Sequence, residues 1–180
     1  FGFRQVKGTG SVPTYELSTR KIASNNSTAI FFGDAVIPLT TGYIGQATAS
    51  TVRMEGIFYG CKYLSTSQKR VVWSNYWPGS DASGDVEAYV ITDPNARFVV
   101  QSANSATAAS AMGQAQVGQN ISFNWQDSTA TGETNGKAAT GLSTMFADQS
   151  TSSQAGTAAN AFLPFRIVAL ANYLPGQASP

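Results

Sequence analysis

Short runs of β-branched and aromatic residues recur along the chain, separated by clusters of Gly, Pro, Asn and Asp. Runs of this length between turn residues are typical of strands in an antiparallel sheet. The sequence therefore predicts an all-β fold, an antiparallel β-sandwich or small β-barrel with long polar loops and at most one short helix. The predicted strands are 30–37, 42–49, 56–64, 69–74, 85–92, 97–101, 119–125 and 163–173.

The segment "DVEAYVITDPNARFVVQS" shows the clearest hairpin pattern. Alternate residues of its first half would face opposite sides of a sheet, because successive side chains of a strand point in opposite directions. Val86, Ala88 and Val90 would share one face, and Glu87, Tyr89 and Ile91 the other. Asp93, Pro94 and Asn95 are residues that favour a turn, so the two halves are predicted to pair.

The remaining segments divide the chain by composition. Residues 1–28 are rich in Gly, Pro and Asn, and we expect an extended N-terminal arm with a short strand near "TYELST". Residues 29–180 are expected to form a single β-rich domain. The segment 102–116 suits either one short helix or a loop. The turn-rich segment 129–162 is expected to be a long loop that serves a function or is ordered by a partner.

The apolar residues at alternating positions of the predicted strands should build the core. A chain of 180 residues is long enough to bury a sizeable core without disulfides. The predicted core residues are Phe31, Val36, Ile44, Val52, Ile57, Phe58, Val72, Val90, Phe98, Val100, Ile121, Phe123, Ile167 and Val168.

Charge is sparse and unevenly distributed. Charged residues make up 12% of the chain, and the formal net charge is +1. Residues 1–70 carry eight Lys or Arg against three acids, and residues 71–180 carry three against seven. The basic residues are scattered and form no dense stripe, so we do not expect nucleic acid as a partner. No apolar stretch approaches the roughly 20 residues that a membrane span needs, so no membrane contact is expected either.

Residues for catalysis or metal binding are few. The chain has no histidine, which is the commonest general base and metal ligand. The single cysteine, Cys61, lies in a strand-like run and is interpreted as a small buried apolar residue. Asp81 and Asp85 in "DASGD" are interpreted as a surface turn, because the segment lacks the further acids of a calcium loop. We therefore expect no catalytic, cofactor-binding or metal-binding residues.

Two aromatic segments are candidates for contact with another protein. "WSNYWPG" places Trp73, Tyr76 and Trp77 within five positions and ends in a Pro-Gly turn. Trp and Tyr are enriched at the centres of interfaces, and a turn has little room to bury two such rings. At the start of the chain, aromatic residues and cations precede a glycine and suit an anchor on a tether. The candidate residues there are Phe1, Phe3, Arg4 and Lys7.

A set of motifs resembles small structural proteins of tailed bacteriophages. They are "GDAV", "MEGIFYGCKYLS", "WSNYWPG", "AYVITDPNARFVVQ", "VGQNISF" and "FRIVAL", and they cover roughly residues 30–170. The resemblance is to the head decoration, or cement, proteins, and the segment 129–162 and the N-terminal arm do not match it. It implies a homotrimer that binds the major capsid protein across neighbouring capsomers. The location implied is the outer surface of the virion head, after assembly in the host cytoplasm.

Two alternatives remain open from the residues. Exposed Trp and Tyr near Asn75 and Asp81 would also suit a receptor-binding or carbohydrate-binding module that uses residues 73–79. A hydrolase on a β scaffold is the other alternative, with Glu55 and Asp93 as a possible pair of acid and base.

Overall fold

A computed structural model describes residues 2–9, 12–13, 16–48, 53–105, 108–109, 112–125, 136–153 and 163–171. This part of the chain is all-β, as the sequence predicts, with one turn of 3-10 helix at Gln114–Gln116. None of its helical structure is long and apolar enough to cross a membrane. The strands are β1 Arg4–Lys7, β2 Leu17–Ile22, β3 Ala35–Pro38, β4 Ile44–Gln46, β5 Gly56–Leu64, β6 Val71–Ser74, β7 Val86–Ile91, β8 Arg97–Val99, β9 Ser102–Ser105, β10 Ala108–Ala109, β11 Asn120–Trp125, β12 Gly136–Lys137, β13 Leu142–Ser143, β14 Met145–Ser153 and β15 Phe165–Arg166.

The first sheet is antiparallel and has the order β2-β7-β5-β3-β4, with β6 paired to the second half of β5. Its two ends, β2 and β4, approach each other, so the sheet is strongly curled. The Asp85 carboxylate helps to close it, because it accepts a hydrogen bond from the Tyr43 hydroxyl at 3.2 Å and lies 3.7 Å from Lys21 Nζ.

The second sheet has the order β10-β9-β14-β11-β15 and contains one parallel pair, β9 with β14. Two small antiparallel pairs, β1 with β8 and β12 with β13, complete the architecture of the described residues.

Each face of the first sheet covers a separate apolar cluster. The inner face of the curl holds one cluster, formed by Ile22, Ile30, Val36, Ile44, Phe58, Cys61, Tyr63, Trp77, Val86, Ala88 and Val90. The other cluster joins the two sheets and is formed by Phe3, Ala35, Ala47, Ile57, Phe123 and Met145. Because β3 and β5 contribute to both clusters, residues that alternate along them are buried on both sides.

A tight turn at Phe31–Asp34 connects these parts. Gly33 has φ +88°, which favours glycine, and its carbonyl accepts a hydrogen bond from Phe3 N at 3.0 Å. Phe32 N donates to the Gly141 carbonyl at 3.0 Å. The turn therefore holds the N-terminal segment and the β12–β13 hairpin against the first sheet.

The predicted hairpin forms its turn but not its pairing. Ala96 N donates to the Asp93 carbonyl at 3.1 Å, as a turn there requires. The strand that follows, β8, pairs with β1 instead of β7. Both edges of β7 are already occupied, by β2 on one side and β5 on the other. The predicted pairing is wrong for this reason.

Two segments to which the sequence assigns no strand contain strands: 102–116, predicted as one short helix or a loop, and 129–162, predicted as a long loop. In 102–116, β9 and β10 precede the short 3-10 turn. In 129–162, β14 runs for nine residues between β9 and β11. Its first four residues are buried. The predicted long loop is wrong for 136–153, because pairing on both sides outweighs the low strand propensity of "MFADQSTSS".

The extended arm is not confirmed. β1 pairs with β8, and β2 is an edge strand of the first sheet, where it extends beyond the predicted "TYELST". Residues 1–28 therefore contribute strands to the same domain.

Most of the predicted core is buried, including Phe58, Val90 and Phe123. Val72, Phe98, Val100 and Ile167 are half-buried, and Val52 lies outside the described residues. Val168 is exposed, so its assignment to the core is wrong. Val168 lies after β15, which spans only Phe165–Arg166. Among the described residues, the strand therefore ends earlier than the predicted range 163–173.

Candidate binding face

Trp77 is fully buried, which contradicts its assignment to an interface. Its indole Nε1 donates to the Asn26 carbonyl at 3.2 Å, and Tyr63 packs edge-on against the ring. Its backbone forms a bridge with Ile30 through two hydrogen bonds of 2.8 and 2.9 Å. The aromatic turn thus folds back over the curled sheet and closes it, so the ring finds its burial inside its own domain.

Tyr76 is half-buried and stacks on Phe31, with the ring centroids 5.5 Å apart. Its carbonyl accepts a hydrogen bond from Cys61 Sγ at 3.4 Å. Both the ring and the backbone of the residue are therefore engaged in contacts that hold the turn in place. The contact with another protein that the sequence predicts for Tyr76 has no support from this position.

Phe3 is also buried, in the cluster between the two sheets. Its ring stacks on Phe165 at 4.5 Å and meets Phe98 and Phe123 edge-on. The prediction that Phe3 anchors a neighbouring protein instead of its own core is wrong, because its backbone N–H is bonded to the Gly33 carbonyl and its ring packs among these three aromatic rings.

The other candidates at the start of the chain have different outcomes. Arg4 and Lys7 lie at exposed positions of β1. Phe1 lies outside the described residues. The structure therefore does not bring the two candidate segments together as one site.

Trp73 is the candidate that stays on the surface, with 68% of its area exposed. It lies on the outer face of the first sheet, opposite the face that covers Trp77. Its ring stacks parallel to Tyr89 at 5.9 Å between centroids, and Lys62 Nζ lies 5.0 Å from the ring centroid. Lys62 also pairs with Glu87 at 3.7 Å, and the Tyr89 hydroxyl donates to Glu87 at 2.9 Å.

The register of three strands produces this arrangement. Lys62 lies directly opposite Trp73 on β6 and Glu87 on β7, so the three side chains form a row across the sheet. Tyr89 lies opposite Gly60, which has no side chain to separate Tyr89 from Trp73. A bulge at Tyr59, between Phe58 and Gly60, sets this register.

Two exposed aliphatic residues extend the surface. Leu64 and Val71 lie opposite each other and are 45% and 54% exposed. They share the outer face with Trp73, because residues two apart along a strand point the same way. We call this surface, formed by Lys62, Leu64, Val71, Trp73, Glu87 and Tyr89, the aromatic face. An exposed apolar group of this kind, rimmed by charges, is typical of an interaction site.

The aromatic face suits binding better than proton transfer. The Glu87 carboxylate is held by Lys62 and by Tyr89, whose pKa is raised by burial and by this neighbouring carboxylate. Trp73 offers a large rigid ring with few rotatable bonds, and the charges beside it favour one orientation of a partner.

The other candidate reactive groups are engaged elsewhere. Burial raises the pKa of the Cys61 thiol to about 12, so it is the buried apolar residue that the sequence indicates. Glu55 pairs with Arg20, whereas Asp93 accepts hydrogen bonds from Thr9 and Asn95, so each carboxylate has different partners. Among the residues that the structure describes, no three His, Cys, Asp or Glu side chains gather as a metal site would need.

The sequence identifies Trp73 but misses its neighbours. Lys62 and Tyr89 are assigned to strands without a functional role, because their meeting depends on the register of β6, β5 and β7. The outward alternation of Glu87 and Tyr89 in "DVEAYVI" is the one local signal of this surface. Comparison with protein-family models, curated proteins and solved structures gives no match.

Proposed function

We propose that this chain is a structural binding protein of a phage head, a decoration or cement protein that attaches to the major capsid protein across neighbouring capsomers. The observation that supports it is the 68% exposure of Trp73 on a strand paired with β5, beside exposed Leu64 and Val71. A ring held this way loses little conformational entropy when a partner covers it. Sequence motifs supply the phage assignment, and the aromatic face supplies the attachment surface.

A cement protein stabilises a shell because it binds the assembled state and not the separated subunits. Its contact must therefore be large and tolerant of a repeating surface. A face with few charges to desolvate suits such a contact. As the sequence motifs imply, the proposal includes a closed ring of three copies placed at three-fold positions, and sedimentation of the protein at micromolar concentration checks that state.

The test is the substitution Trp73→Ala. Because the ring is mostly exposed, we expect circular dichroism and the melting temperature to change little. Attachment to shells that lack the protein should weaken by about 2 kcal/mol or more, the scale of an interface hot spot. Occupancy is measured by quantitative gel analysis of purified particles, and heat resistance of the particles should fall with it.

Two control variants make the result specific. Val168→Ala alters an exposed apolar residue on a different part of the molecule and should leave occupancy unchanged. Trp77→Ala removes a fully buried ring and should destabilise the domain by about 3–5 kcal/mol, so its loss of attachment would follow from unfolding. Full occupancy of Trp73→Ala particles would contradict the proposed attachment surface.

A carbohydrate-binding function is a second candidate because an exposed indole is a surface on which a sugar ring stacks. The acceptors predicted from the sequence do not favour it, since Asn75 donates to the Thr140 carbonyl and Asp81 holds Ser65 and Thr66. Lys62 and Glu87 would have to supply the polar contacts instead. Glycan binding by the isolated protein, lost in Trp73→Ala, would favour this candidate over attachment to a shell.

A further inference from the structure

Among the described residues, no strand pairs with β6 along the edge that faces away from β5. Ser65 N donates to the Arg70 carbonyl at 2.9 Å, so these two residues face each other across the ladder. Hydrogen-bonded pairs alternate in an antiparallel ladder, so Val72 and Ser74 also direct their backbone groups toward β5. Val71 and Trp73 then direct their N–H and C=O groups outward. Within the described part of the chain, β5 is the strand that pairs with β6.

The open edge is short, at four residues, but within β6 it lacks the charges, prolines and bulges that also prevent pairing with another chain. Natural edge strands are protected by short length, by Lys or Pro, or by bulges. The four residues of β6, "VVWS", include neither a charge nor a proline, and the ladder with β5 has a continuous register. Val71 and Trp73, whose backbone groups face the open edge, also carry exposed apolar side chains. Backbone and side chains therefore favour the same contact, addition of a strand at this edge.

We propose that the occupant is β6 of a second copy of the chain, paired antiparallel about a two-fold axis at Val72. In this register Val71 lies opposite Trp73 of the second copy, and the reverse pair forms on the other side of the axis. All four outward backbone groups of each copy then form hydrogen bonds. A two-fold contact of this kind is self-complementary, as closed dimers require.

The side chains agree with this register on both sides of the sheet. On the outer face, each Trp73 packs against a Val71, a combination of aromatic and β-branched residues that stabilises cross-strand pairs. On the inner face, the two half-buried Val72 side chains meet at the axis. Arg70 lies opposite Ser74 and Lys69 opposite Asn75, so no like charges face each other. The occupant is therefore consistent with the charges that flank the edge.

The pairing joins the aromatic faces of two copies into one continuous surface. The role of this joined surface on a shell rests on the proposed function, whereas the dimer itself does not. Three-fold positions on an icosahedral shell are related by two-fold axes, so the contact would link neighbouring rings. Two linked copies would then bind the shell with higher avidity than one.

A cysteine at the axis tests the register. Directly opposite residues of a non-hydrogen-bonded pair have Cα atoms about 4.5 Å apart, within the range of a disulfide. In a Cys61→Ala background, which removes the single native thiol, Val72→Cys should oxidise to a covalent dimer of twice the 18.9 kDa chain mass. Trp73→Cys is the matched control, because two copies of residue 73 would lie diagonally at about 7–8 Å and should not cross-link.

A second measurement uses the unmodified protein. Amide hydrogen exchange at Val71 and Trp73 should slow as the protein concentration rises, because these N–H groups become bonded in the dimer. Val71→Pro removes one outward donor without removing a bond to β5 and should abolish this effect, whereas Val71→Thr keeps the donor and should preserve it.

Exchange rates that do not depend on concentration, or cross-linking at residue 73 in place of 72, would overturn the proposal. Failure of Trp73→Ala to affect shell occupancy would instead count against the proposed function alone. The two proposals therefore fail in different experiments.

Discussion

Asp34 is a fully buried carboxyl group at the turn before β3. Its Oδ2 accepts hydrogen bonds from Phe31 N at 2.8 Å and Gln46 Nε2 at 2.7 Å. Burial raises its pKa from 3.8 to about 7, against the lowering effect of these bonds. Folding therefore takes up a proton between these two pH values. The contribution to stability is complete below the lower value and is lost as the pH rises through 7.

We expect Asp34→Asn to flatten the dependence of stability on pH. The amide stays neutral, so the free energy of unfolding should no longer fall between about pH 5 and about pH 8. Denaturant unfolding at both pH values measures the slope. Asp81→Asn is the control, because hydrogen bonds from Ser65 and Ser67 lower the pKa of Asp81 to about 2, outside this interval. An unchanged slope in Asp34→Asn would show that Asp34 titrates normally.

Trp73 and Trp77 show how far single residues can be assigned from sequence. Both lie in one aromatic segment, and the sequence predicts an interface for both. Trp73 is exposed because it points outward from β6, whereas Trp77 pairs with Ile30 and covers the curl of the sheet. The bridge to Ile30 joins residues far apart in sequence, and no local pattern in the turn indicates it.

At the scale of elements, strands with alternating residues are predicted best. β5 begins and ends where the sequence places it, at Gly56–Leu64, because it is a long run of strand-forming residues. β14 is missed because its residues are mostly small and polar. It is a strand because β9 and β11 satisfy its backbone on both sides. Local propensity therefore identifies strands that drive the fold and misses strands that follow from their neighbours.

The turn at Phe31–Asp34 holds the N-terminal segment against the first sheet, and substitution of Gly33 tests this role. A Cβ at this position would lie 3.0 Å from Phe3 N and 3.1 Å from Phe3 O, and φ is +88°. Gly42 has a similar φ of +84°, but a Cβ there would meet no atom within 4 Å. Gly42→Ala should cost about 1–2 kcal/mol from backbone strain alone. Gly33→Ala should cost about 3 kcal/mol or more, because the N-terminal segment must also move.

Urea unfolding of the two variants measures this difference. Amide exchange at Phe3 should accelerate in Gly33→Ala and stay normal in Gly42→Ala, because Phe3 N donates to the Gly33 carbonyl. Equal destabilisation of the two variants would mean that the turn does not hold the N-terminal segment.

At the scale of the whole molecule, the two apolar clusters depend on different long-range contacts. The cluster within the curled sheet is largely built from strands that the sequence predicts, and Phe58, Val36 and Val90 are correctly assigned to the core. The cluster between the sheets needs Phe3 and Met145, from the predicted arm and the predicted loop. The composition of both segments suggests irregular structure. Their burial is decided by partners distant in sequence, which composition does not reveal.

The N-terminal segment should therefore be required for the two sheets to stay together. The sequence assigns Phe3 to an extended N-terminal arm, whereas its burial among Phe98, Phe123 and Phe165 makes it part of the core. Phe3→Ala should lower the free energy of unfolding by about 3–5 kcal/mol, the usual cost of a large-to-small change in a core. Lys7→Ala, at an exposed position of the adjoining strand β1, should change the free energy of unfolding by about 0.5 kcal/mol or less.

Denaturant unfolding followed by Trp fluorescence measures the stability of both variants. Since Trp125 packs in the cluster between the sheets and Trp77 in the curl, separation of the sheets in Phe3→Ala should appear as an early transition before the curl unfolds. A single transition at the normal midpoint would favour the extended N-terminal arm that the sequence predicts.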